Sequence, residues 1–155
     1  MILTAPQVQY CFSGDALPDA AQFAEWAQCL AEVAAISELD AARGIVVRLV
    51  DRAEMASLNS RWRGKDYATN VLAFPLEEDS AAAHIPLGDI VICPPVVQKE
   101  ALDQEKPFVD RMAHMFVHGM LHLLGYDHES PDEAQTMEAL EREALARLGY
   151  AKLYE

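Results

Sequence analysis

His118-Gly119-Met120-Leu121-His122-Leu123-Leu124-Gly125-Tyr126-Asp127-His128 places three histidines at i, i+4 and i+10, with a glycine at i+7. It closes a mostly apolar segment that starts at about Pro107, and the segment predicts a helix running into the motif. Residues four apart on a helix share a face, so His118 and His122 point the same way and can grip one ion. Gly125 is placed to end that helix in a left-handed turn. The chain then reverses, and His128 returns as a third imidazole. Three neutral nitrogens with one open position is the usual donor set of a catalytic zinc, whose open corner carries the reacting water.

His114 lies one turn further upstream and raises a rival triad of His114, His118 and His122. Eight residues of helix separate the ends of that triad by about 12 Å, too far for both to share an ion without strain. His114 is therefore expected beside the metal site and not in it. The histidine spacing is also that of metalloproteases with an H-E-x-x-H-x-x-G-x-x-H signature, where the glutamate is the general base. Here that position is Gly119, which cannot take a proton, so the metal site survives while the peptidase reading loses its key part.

The histidine motif, Arg63-Gly64-Lys65-Asp66-Tyr67-Ala68-Thr69-Asn70-Val71-Leu72-Ala73-Phe74-Pro75 and Leu87-Gly88-Asp89-Ile90-Val91-Ile92 occur in one chain. Together they resemble the YbeY family of bacterial metal-dependent endoribonucleases, which act in rRNA maturation and ribosome quality control. The likeness covers about residues 44 to 130. It departs from the family at Tyr67-Ala68, where a basic residue and proline are common, and at Ala73, where serine is usual. The resemblance implies rRNA and the small ribosomal subunit as partners, with no membrane and no DNA. It also matches Arg63 to an arginine associated with activity. A guanidinium suits that role because it stays charged and holds phosphate through two parallel hydrogen bonds.

Composition bounds the reading. The 155 residues suffice for one domain, taken as 1–155, and 52% of them are hydrophobic. No apolar run approaches the roughly 18 residues that span a bilayer. Met1-Ile2-Leu3-Thr4-Ala5-Pro6 does not read as a secretory signal. Cys11, Cys29 and Cys93 are odd in number and widely spaced, which fits a reducing, cytoplasmic setting. The net charge of −13 opposes nucleic-acid binding by the surface as a whole. Arg61, Arg63 and Lys65 nevertheless concentrate positive charge in one place, with Lys65 a further candidate substrate contact.

The rest of the chain fills in around these motifs. Gln7–Phe12 reads as a strand, followed by a helix over about 20–38 that opens at an Asp19–Gln22 capping box. Residues 45–50 read as an interior strand. Asp51 and Glu54 read as a second capping box, for a helix with Met55, Leu58 and Trp62 on its apolar face and Gly64 at its end. Asn70–Phe74 and Leu87–Ile92 read as adjacent strands, separated by an acidic, alanine-rich loop that carries the lone His84. A short helix follows Pro94-Pro95, and Ser130-Pro131-Asp132-Glu133 combines a capping box with proline at the first position of a last helix that reads as a packing element. The expected fold is α+β: one mixed sheet of about four strands, covered by about five helices. The metal site lies at the end of a central helix, in a cleft with the Arg63 loop and a sheet edge.

The leading expectation is hydrolysis of single-stranded RNA. One divalent ion, Zn2+ by donor chemistry, is held by His118, His122 and His128, with Arg63 on the phosphate. Asp127 and Glu129 are candidates for the base, and Asp127 is equally a candidate to orient a ligand imidazole. Two rivals stand: a metallopeptidase with a base from elsewhere, and a ribosome-assembly factor whose metal is structural. A fourth protein ligand such as Cys93 would favour the last.

Overall fold

The computed structural model describes residues 3–76 and 85–150. The chain runs β1 (Gln7–Tyr10), α1 (Ala20–Val33), α2 (Glu38–Ala42), β2 (Ile45–Leu49), α3 (Arg52–Arg63), β3 (Val71–Pro75), β4 (Gly88–Ile92), α4 (Pro94–Asp103), α5 (Phe108–Leu123) and α6 (Pro131–Arg147). The strands form one sheet in the order β1-β2-β4-β3, with β1, β2 and β4 parallel and β3 antiparallel to β4. The expected single mixed sheet of four strands is present, and the two strands after α3 are neighbours. Among the described residues there are six helices, one more than expected.

Alternation along the strands sorts the core into two layers. Ile45, Val47 and Leu49 of β2 and Ile90 and Ile92 of β4 belong to the larger cluster, with α1, α5 and α6. Leu72 and Val91 belong to a smaller cluster with Val50, Met55 and Cys93. Phe23 and Trp26 of α1 are fully buried and meet Phe116 of α5 at ring-centroid distances of 5.5 and 6.3 Å. They are core anchors. α5 touches β3, β4, α1, α4 and α6, which makes it the central helix.

Gly88 is where β4 starts against both β3 and the end of α5. Its φ is +150°, and a Cβ there would lie 2.3 Å from the Phe74 carbonyl and 2.8 Å from Leu123 Cδ2. No side chain fits that gap, so Gly88 fixes how closely the metal helix ends against the sheet.

Three expectations need correction. The first helix stops at Val33 instead of 38: Ala35 takes φ +50°, the Ile36 N–H bonds back to Ala31, and Ser37 caps the separate α2 through the Asp40 N–H. A short helix with its own cap was hidden inside one apolar periodicity. Trp62 is not an apolar-face anchor. It is 63% exposed in the last turn of α3 and meets the edge of Phe74 at 5.9 Å, while α3 buries Met55 and Asn59 instead. The α3 capping box is only half realised: Asp51 accepts from the Glu54 N–H, while the Glu54 carboxylate turns to Arg48. The capping box of α1 forms in both directions.

The acidic loop and His84 fall outside the described residues, but the stems beside them are held by a side chain not singled out from sequence. Arg43, 5% exposed, donates to the carbonyls of Ile85, Leu76 and Pro86 and pairs with Asp40. Among the described residues no helix is long and apolar enough to cross a membrane.

Candidate metal centre

Consecutive turns of α5 carry His114, His118 and His122 on one side. The helix then closes by bonds from the Gly125 N–H to the His122 carbonyl and from the Tyr126 N–H to the Leu121 carbonyl. Gly125 has φ +98°, the left-handed conformation that reverses the chain. Residues 126–130 then fold back, and the Asp127 carboxylate steadies the return by accepting from the His128 N–H at 2.7 Å.

The three rings converge. His118 Nε2 and His122 Nε2 are 3.1 Å apart, and one ligand nitrogen from each of His118, His122 and His128 lies within 4.8 Å of the others. Metal–nitrogen bonds of about 2.0–2.1 Å at the tetrahedral angle set ligand nitrogens about 3.3 Å apart, so the His118–His122 pair is already at ligating distance and His128 is within a small adjustment. Among the described residues no carboxylate or thiol joins this group. Cys93 belongs to the smaller core cluster. The donor set fits a divalent ion with an open position. His114 stays outside it, as its distance along the helix required.

Electrostatics suit ligation. Burial, with the neighbouring His118 and His128, pushes the His122 pKa below its usual value, against opposing pulls from Asp127 and a hydrogen bond to the Tyr126 backbone. A neutral imidazole is the form that binds metal. Behind the triad stands Glu141 of α6, 3% exposed, with an oxygen 3.3 Å from His114 Nε2 and both oxygens 3.3 Å from His118 Nδ1. Burial alone would raise the Glu141 pKa, but hydrogen bonds and charge from His114 and His118 overcome it and bring the carboxyl down to about 2. The expectation that α6 is only a packing element missed this residue. One signal was available: Glu141 falls between Met137 and Ala144–Leu145, a charge in the middle of the buried stripe.

The triad lines a cleft of about 710 Å3 whose opposite wall is edge strand β3. Arg63, Asn70, Asp127 and Glu129 also line it. Of the basic cluster, Arg63 alone does so; Arg61 and Lys65 are exposed elsewhere. The loop carrying Arg63 is tied back to α3 by the buried Asn59, which donates to the Tyr67 carbonyl at 2.8 Å, and by Ser60, which donates to Asp66 at 3.1 Å. Asn70 hydrogen-bonds to Glu100, which holds Arg111, and Arg111 reaches His114 Nδ1 at 3.1 Å.

A family profile described as Endoribonuclease YbeY matches residues 13–149. Relatives of the same name from Alkalilimnicola ehrlichii and Pseudomonas entomophila are 50% and 49% identical, covering 96% and 90% of this chain and 89% and 86% of their own. A solution structure of a Thermotoga maritima protein superposes with a TM-score of 0.58 at 26% identity, covering 92% of this chain and 91% of that one. The three histidines at the end of α5 and the arginine across the cleft therefore sit in a chain that belongs to the endoribonuclease YbeY family.

Proposed function

We propose that this cleft cuts phosphodiester bonds within single-stranded RNA, serving maturation of the 16S rRNA 3′ end and ribosome quality control in the cytoplasm. The family is one of hydrolases that act on RNA. The observation that carries the reading is the convergence of three imidazole nitrogens within 4.8 Å in a cleft that a permanently charged guanidinium also lines. Three neutral imidazoles with an open position suit Zn2+, which when bound would supply Lewis acidity at the phosphate.

The remaining steps belong to the chain. Arg63 presents two parallel N–H groups to the phosphate, orients it and offsets charge that grows on its oxygens. Asp127 and Glu129 are carboxylates that line the cleft, and they are the candidates to take a proton from the attacking group. With a net charge of −13, phosphate recognition has to be local, and Arg63 is the basic side chain on the cleft wall. The small ribosomal subunit is the partner this activity calls for.

The peptidase alternative lacks its base: Gly119 occupies that position, and a Cβ there would lie 2.8 Å from Ile90 Cγ2. A structural metal would call for a fourth protein ligand, and none joins the triad among the described residues. The test pairs metal content with RNA cleavage. His122→Ala is expected to lose the metal and cleavage together, whereas Arg63→Glu retains the metal and loses cleavage. An Arg63→Glu protein that cleaves like the unmodified one would show that the phosphate clamp lies elsewhere.

A further inference from the structure

We infer that Glu141 is a positioning residue for the metal site: it fixes the proton of His118 on Nδ1 and so dedicates His118 Nε2 to the ion. This rests on the metal-site reading above and adds a residue from a different helix, 23 positions away.

The direction of each hydrogen bond settles the protons. Arg111 has only donors, so its Nη1 donates to His114 Nδ1 at 3.1 Å. A neutral His114 must then carry its own proton on Nε2, which donates to Glu141 Oε2 at 3.3 Å. An ionised Glu141 has only acceptors, so His118 Nδ1, at 3.3 Å from both oxygens, must donate as well. The lone pair of neutral His118 is left on Nε2, the atom that faces His122 Nε2 at 3.1 Å. Arg111 is itself anchored by Glu100 at 3.1 Å, so the chain of donors starts from a fixed cation. Carboxylate–imidazole–metal arrays of this kind set ring orientation and raise ligand basicity.

The Gln substitution makes a sharp test because it keeps shape and reverses part of the chemistry. An amide NH2 facing His118 Nδ1 would donate to it and move the imidazole proton to Nε2, where it blocks the ion. With Zn2+ and Co2+ as probes, Glu141→Gln and Glu141→Ala are expected to bind 10- to 100-fold more weakly than the unmodified protein. Glu141→Asp is expected to recover part of the loss. The Co2+ absorption spectrum of Glu141→Gln should also shift as His118 leaves or reorients. In case the variants fold poorly, nitrogen-resolved NMR of the Zn2+-loaded unmodified protein reads the same claim directly, with His118 protonated on Nδ1 and coordinated through Nε2. Ligation through Nδ1, or unchanged metal affinity in a folded Glu141→Gln protein, would overturn the inference. Failure of the unmodified protein to bind either ion would instead overturn the metal reading on which it rests.

Discussion

At Gly119 the missing side chain removes the base a peptidase would need. The residue is buried in α5, above Ile90 of β4, with no room for a Cβ beside the Ile90 side chain. Replacing it with alanine gains about 1 kcal/mol of helix propensity, set against an overpacking cost of about 1–3 kcal/mol. Gly119→Ala is therefore expected to lower the unfolding midpoint. In a double-mutant cycle with Ile90→Ala the combined loss should be smaller than the sum, because the second change clears the clash. Glu141 offers a pH-dependent test on the metal-free protein. Its folded pKa, about 2, lies below the ordinary 4.5, so its ionised form stabilises the fold above pH 4.5, and this is lost as pH falls from 4.5 towards 2. His122 acts earlier: its folded pKa lies below 6.5, so stability already falls as pH drops through 6.5. Urea midpoints followed against pH should show both phases, and Glu141→Gln should lack the lower one.

The element that carries Arg63 is legible in sequence at its ends and illegible in its middle. Asp51 and Gly64 announce where α3 begins and stops, since cap and left-handed turn are local signals. Which residue turns inward is a tertiary matter. Asn59 is buried at 2% exposure while Trp62, seven residues after the buried Met55 and so close to its face, stays out in the last turn. The buried amide holds the Tyr67 carbonyl, and with it the stretch that follows Arg63. Asn59→Ala leaves that carbonyl short of a partner and should cost about 1–3 kcal/mol. It should also raise KM for RNA more than it lowers kcat, because what loosens is the phosphate clamp; thermal melts and steady-state kinetics check the two halves. α5 and its turn were readable for the opposite reason. All three ligands lie within eleven residues, so helix geometry and one glycine suffice. Glu141 showed only as a charge within the buried stripe of α6, because no local rule says that α6 lies against α5 with that face inward.

Across the whole molecule, alternation and helical periodicity disclosed the fold class and the pairing of β3 with β4. The order β1-β2-β4-β3 depends on which edges meet, and that is written in packing rather than in pattern. Arg43 belongs to the same category of long-range feature. It reaches from the end of α2 to the carbonyls of Leu76, Ile85 and Pro86, the two points where the chain leaves β3 and returns towards β4. Because a third segment clasps both ends, the strand pair does not rely on its own connection to stay in register. Removing the Arg43 guanidinium would therefore loosen both junctions at once, so part of the control of strand register is lodged in a residue that belongs to neither strand.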